Sequence, residues 1–378
     1  MTERIQTGDI LLTPNQRQLL TAALSTGAEA ATRAWYAWRD ATDLDTLPAG
    51  QVPLLPVLYA NLTRFGLAEA TGSRLKGIHR RSWYARQLVL EAAKLWLQRL
   101  ETGGVPVMLA DAPALALTAY GNRSRPPDPF ALIVSPEHAS AATRILLAEG
   151  GQPLPPVTAW TGREPLWTTR QTFRMAATTQ LLELHWHVAP FWPSDALDAA
   201  AWSRAQSIAL GERSVPALNA ADQLVRSSVI AAGSGYASLM ALADMAVLLG
   251  TVSDVAPGAA GMDWEVVLQV AETGRANRAL LAALECLEST LDLAAPAEVM
   301  ARLRVGRRAR YEVLVATPNR DHAAALSTTR RLYAQYRRVL SARGMQPGWG
   351  LFLDFLQHRW GLRRRREIFQ HAVARLFR

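Results

Sequence analysis

Between Gly103 and Val188 the apolar residues change their spacing, and this change constrains the fold more than any other feature of the chain. Upstream, SWYARQLVLEAAKLWLQRL (82–100) repeats apolar residues every three or four positions, the period of an amphipathic helix of about five turns. Gly103 and Gly104 end that pattern. Downstream come runs of strand length: VPVMLA (105–110), FALIVS (130–135), TFRMAAT (172–178) and QLLELHWHV (180–188). Helical stretches fall between the first three, APALALTAYG (112–121) and PEHASAATRILLAEGG (136–151), the latter with Pro136 at its start and glycines at its end. Strands with helices between them predict a mixed α/β core of roughly 100 residues, and the fold class expected is α+β.

The flanks read as helical. Residues 14–46 carry Ala, Leu and Trp at helical spacing, and TLPAGQVPLLPVLYANLTRFG (46–66) interrupts and restarts the pattern at its prolines. After about residue 215, NAADQLVRSSVIAAG opens on Asn219 as an N-cap and YASLMALADMAVLLG stops at Gly250. MDWEVVLQVAETG and NRALLAALECLESTLDL then form a helical pair. The expected organisation is an N-terminal helical region (1–102), the α/β core (103–212), a helical domain (213–300) and a helical tail (301–378).

Charge separates the tail from the rest. Residues 301–378 hold 18 Arg against 4 Asp or Glu, although the whole chain carries only +9, so the first 300 residues are mildly acidic. A single cysteine, Cys286, excludes an internal disulfide framework and a multi-cysteine zinc site; its apolar helical context makes it a small core residue. The first ten residues mix acid and base without an apolar run. VPVMLADAPALALTAY, the nearest approach to a membrane span, is broken by Asp111 and Pro113. The compartment expected is the cytoplasm.

Several segments in fixed order carry a resemblance: LPVLYANL (55–62), the long helix, GVPVMLADAPALALTAYGNRSRPPDPFALIV (104–134), ELHW (183–186), LMALADMAVLL and MDWEVVLQVAETG. Together they resemble the uncharacterised nucleotidyltransferase family of the DNA polymerase beta-like superfamily, over roughly residues 50–295. The resemblance implies a core in which strand, helix and strand present a nucleotide and its metal. It also implies Leu-Lys-Gly where this chain has Leu109, Ala110 and Asp111, and Asp-x-Asp where it has Pro129, Phe130 and Ala131.

Those residue types matter because nucleotidyl transfer takes place at a phosphorus surrounded by negative oxygens, where magnesium neutralises charge and aligns the triphosphate. Carboxylates two apart on a strand reach one metal from one face, and a glycine ahead of a helix lets backbone N–H groups approach a phosphate. Of this set only the acid of a neighbouring strand survives, as Glu183. Asp128 does not replace the pair, because its same-face neighbour is Phe130. Asp111 brings negative charge to the presumed phosphate cradle. The degenerate positions are thus Ala110, Asp111, Pro129 and Ala131, and the expected reading is a silent catalytic site with no cofactor. Magnesium and a nucleoside triphosphate enter only in the alternative, an active enzyme with relocated acids that starts from Glu183 and Asp128.

Other candidates stand beside their bland readings. An extended ELHWH puts Glu183, His185 and His187 on one face as weak metal ligands, or leaves His187 as a further surface imidazole. Arg123 and Arg125 could grip an anion, or pair with a nearby acid such as Asp128. Asp244 matches a family acid and suits a helix-packing hydrogen bond. The tail interleaves arginines with Trp349, Phe352, Phe355, Trp360, Phe369 and Phe377. That mixture fits packed helices or, through residues 330–378, an anionic inner membrane surface; nucleic acid is not expected. The function expected is a pseudo-nucleotidyltransferase that binds a protein or peptide. The resemblance associates such proteins with modified-peptide or cell-surface polysaccharide pathways.

Overall fold

The computed structural model describes residues 10, 12–67, 72–121, 125, 129–154, 167–176, 181–190, 193–233, 238–250, 261–305, 332–333, 336–337, 339–340, 345–360, 362 and 364–376. Its N-terminal helices are α1 (Pro14–Leu24), α2 (Ala28–Asp40), α3 (Leu55–Arg64) and α4 (Gly72–Thr102). A reciprocal cap opens α1: the Thr13 hydroxyl accepts from the Gln16 N–H and the Gln16 side chain accepts from the Thr13 N–H. The helix expected over 82–100 is real and begins ten residues earlier, at Gly72. It ends where Gly104 takes a left-handed φ of 71°.

The core elements follow as β1 (Met108–Ala110), α5 (Asp111–Thr118), β2 (Phe130–Ile133), α6 (Ala139–Ala148), β3 (Gly151–Leu154), β4 (Arg170–Met175), β5 (Leu181–His185), α7 (Asp195–Ser203), β6 (Gln206–Leu210) and β7 (Arg213–Ala217). They build one seven-stranded sheet in the order β3-β4-β5-β2-β1-β7-β6. β2 lies parallel to β5 and antiparallel to β1, and β7 joins β1 in parallel. The expected strands β1, β2, β4 and β5 are all present, while β3, β6 and β7 were not anticipated from the sequence. The boundary expected at residue 212 falls inside the β6–β7 hairpin, so the sheet continues into what reads as the helical domain.

Alternation along the strands explains the layering. Leu109, Phe130, Leu132, Leu182 and Leu184 face α4 and α6, where Trp96 meets the Phe130 ring edge-on at 5.6 Å. Met108, Ala110, Ala131 and Ile133 face the other way, into a body of helices. That body joins the N-terminal helices to α8 (Ala220–Gly233), α9 (Leu239–Leu248), α10 (Trp264–Thr273), α11 (Asn277–Leu291) and α12 (Ala297–Val305). Both faces of the sheet are therefore covered, as its near-continuous apolar strands require. Cys286 is buried on α11 in this core.

The tail contributes α13 (Trp349–Arg359) and α14 (Glu367–Leu376). Phe352, Phe355, Tyr336 and Leu340 form a separate small core against Trp167, whose ring lies 5.8 Å from that of Phe355. Trp349 and Phe369 remain 80% and 75% exposed. Phe377 lies outside the described residues. Among the described residues no helix is long and apolar enough to cross a membrane.

Candidate functional site

Strand register places the positions that matter in one row. Ala110 pairs with Ala131, Ala131 with Glu183, and Glu183 with Thr172, across β1, β2, β5 and β4. Side chains in such a row share a face and stand about 4.8 Å apart. This is the geometry that would let an acid on β2 and Glu183 share one ion. The row instead reads Ala, Ala, Glu, Thr. Both alanines are 0% exposed and belong to the core between sheet and helical body, so the second acid position is apolar and closed over. Pro129 sits one residue before β2 begins. Arg123 and Asp128 lie outside the described residues.

Glu183 is held by its neighbours. Its Oε2 lies 3.1 Å from Nε2 of His185 and 3.5 Å from the Arg170 guanidinium at the half-exposed rim. Burial raises the Glu183 pKa, yet the hydrogen bond from His185, with the Arg170 charge, brings it below the usual value. Burial lowers His185, and the adjacent Arg226 charge lowers it further against the opposing pull of Glu183. The stable pairing is thus a neutral imidazole donating Nε2–H to an ionised Glu183.

Asp111 is where the chain departs furthest from the expected repulsion. It opens α5 with φ 52°, a left-handed backbone natural to glycine that costs an aspartate about 1 kcal/mol. Its N–H donates to Gln223 Oε1 at 2.9 Å, and Gln223 Nε2 donates back to Oδ1 at 3.1 Å. Arg226 closes a two-point fork, Nε to Oδ1 and Nη2 to Oδ2, both at 2.8 Å. Burial pushes the Asp111 pKa up, but the Arg226 charge and these hydrogen bonds overcome it and hold the carboxyl well below the usual range. Arg226 also donates Nη1–H to the Val188 carbonyl and brings Nη2 to 3.2 and 3.3 Å from the His185 ring nitrogens. Asp111 is thus the counter-ion of a buried arginine, although its charge still works against the nearby Glu183 and Asp244 carboxylates.

Sequence reasoning missed Arg226 and Gln223. Their signal was present on α8, where 222, 223, 226 and 227 follow Asn219 as a polar stripe at helical spacing in a helix otherwise apolar but for Ser228. A helix that buries such a stripe needs partners elsewhere in the fold.

Arg125 has a closed environment as well. Its Nε and Nη2 donate to Oδ1 and Oδ2 of Asp244 at 2.8 and 2.6 Å, and the Tyr120 hydroxyl donates to Oδ1 at 2.8 Å. Burial disfavours the Arg125 charge, and the Asp244 contact reverses this and raises its pKa. Among the described residues Asp244 is the acid that Arg125 meets, and it takes the Tyr120 hydroxyl as well.

His187 does not join Glu183 and His185. β5 ends at His185, and the chain turns so that His187 Nδ1 meets Asp198 Oδ2 at 2.5 Å. His187, Asp195 and Asp198 are the only three-ligand group found among the described residues. Asp198 is fully engaged, since its Oδ1 accepts the Val188 N–H, and its place in the first turn of α7 favours an anion over a cation.

Among the described residues the donors on this face of the sheet do not fit magnesium with a triphosphate. The row offers one carboxylate, already engaged, and the turn that would cradle phosphate holds an internal anion. What fold and site define is a protein of nucleotidyltransferase-like architecture. The profile of the uncharacterised nucleotidyltransferase family matches residues 49–292, and the chain belongs to that family. No curated protein and no solved structure matches it.

Proposed function

We propose that this chain is a pseudo-nucleotidyltransferase: it keeps the family architecture without nucleotidyl transfer at the usual place and acts by binding. The observation that carries the reading is the row Ala110–Ala131–Glu183, which presents a single acid on a buried surface. A partner protein or peptide in modified-peptide or cell-surface polysaccharide biosynthesis is the role in keeping with the family association. The test is pyrophosphate release from each of the four ribonucleoside triphosphates with magnesium, alone and with candidate peptides. The expected result is a rate equal to buffer. Release that disappears in Glu183→Ala would favour the active-enzyme alternative and end this reading.

A second reading rests on the tail. Trp349 is exposed on a helix whose other aromatics, Phe352 and Phe355, are buried, Phe369 is exposed on the next helix, and Arg364 and Arg366 are exposed between the two. Rings beside arginines suit the interface of an anionic bilayer. In vesicle sedimentation, binding to phosphatidylserine that falls with salt and is lost in Trp349→Ser/Phe369→Ser supports peripheral attachment. Equal sedimentation of both proteins removes it.

A further inference from the structure

The Asp111 pocket differs from an ordinary buried ion pair in how many groups serve one carboxylate. Arg226 supplies two coplanar donors, Gln223 a third, and Gln223 Oε1 also takes the backbone N–H of Asp111. Every one of these partners comes from α8, in the helical body, and both side chains are buried. The carboxylate they hold comes from the sheet side, on a left-handed residue at the start of a helix, and is 17% exposed. The receptor is thus complete on one element, and its ligand arrives on another at the expense of backbone strain.

We infer that Arg226 and Gln223 form a small-oxyanion site, shaped for a planar carboxylate, which the chain keeps filled with its own Asp111. Arg226 is anchored independently of Asp111, because it also donates to the Val188 carbonyl and abuts His185. Removal of the Asp111 side chain therefore leaves the fork in place and vacates a volume close to that of formate or acetate. Glycine also suits the left-handed backbone, so Asp111→Gly empties the site and relieves the turn together. A buried guanidinium without a counter-ion then recruits one from solution. This goes beyond the silent-site reading and stands apart from it: nucleotidyl transfer by the wild-type protein would end that reading and leave the present inference untouched.

The experiment is thermal unfolding of full-length wild type, Asp111→Gly, Asp111→Asn and Asp111→Gly/Arg226→Met, titrated with formate, acetate and inorganic phosphate at constant ionic strength. The expected result is a saturable rise of several degrees in the Asp111→Gly midpoint with formate and acetate, and no specific rise in wild type. Asp111→Asn, whose amide still fills the volume, should not respond, and the double variant should lose the response. Phosphate distinguishes the sources of oxyanion: a smaller rise than with formate fits a pocket shaped for a planar group. If Asp111→Gly is unfolded in plain buffer, folding on addition of formate supports the inference and failure to fold at any formate concentration overturns it. An equal rise in all four proteins, a stronger response to phosphate than to formate, or a folded Asp111→Gly indifferent to every anion also overturns it.

Discussion

Two of the arginine–aspartate pairs that link the core elements to the helical body differ in how completely they are closed. Arg125 and Asp244 are 8% and 5% exposed, with the Tyr120 hydroxyl on the same carboxylate, so every charged atom faces protein. Arg226 is as deeply buried, but Asp111 keeps 17% exposure and its network passes through His185 and Glu183 to Arg170 at the surface. The first pair fastens core to body. The second lies against the His185–Glu183 pair and through it reaches the rim.

The severest test of that contrast is to return an acid to the row. Ala131→Asp places an ion in a fully buried position beside Glu183, and a loss of about 4 kcal/mol or more is expected in urea unfolding. A loss under about 1 kcal/mol would mean that the row is open to solvent. Next in size is Asp244→Ala, which strands Arg125 and Tyr120 together; breaking a buried pair of this kind costs about 3–5 kcal/mol. Arg226→Met should cost less, about 2–3 kcal/mol, because the partly exposed Asp111 regains water. If Arg226→Met proves the more damaging of the two, the distinction between the closed pair and the one that reaches the rim reverses.

Acidification separates the members of the open network. His185 has a folded pKa below its ordinary 6.5, so the unfolded chain takes up that proton first and stability begins to fall as the pH drops through about 6.5. Asp111 and Glu183 also lie below their ordinary values, so their contribution is complete above about pH 5 and is lost below about pH 4. Urea midpoints against pH should thus fall in two stages. His185→Gln removes the upper stage, and Asp111→Asn flattens the lower one. The smallest effect belongs to the tail, where Trp349→Ser and Phe369→Ser should each change stability by no more than about 0.5 kcal/mol.

Much of the fold was legible in the sequence because period is a local property. The 3.6-residue repeat of α4 and the short apolar runs of β1, β2, β4 and β5 needed no tertiary information. β3 and β7 escaped because Pro153 and Pro216 stand inside them, and proline argues against a strand unless an edge or a sparse ladder tolerates it. Both conditions occur: β3 is an edge strand, and β7 makes a single bridge to β1. That residues 110 and 131 are apolar was likewise legible, since residue type is read directly. The ion network was not. Asp111 and Arg226 are 115 residues apart, and no local pattern pairs them. Asp111 alone reads as a charge in the wrong place, and only with α8 brought to the start of α5 does it become a counter-ion.

The central claim is that one engaged acid on a closed row cannot assemble a metal–triphosphate site. Its most direct test follows the electron paramagnetic resonance of manganese, standing in for magnesium, during titration of manganese–ATP with the wild-type protein. The spectrum expected at every protein concentration is that of manganese–ATP free in solution. A protein-bound manganese–ATP signal that saturates with wild type and vanishes with Glu183→Ala would contradict it.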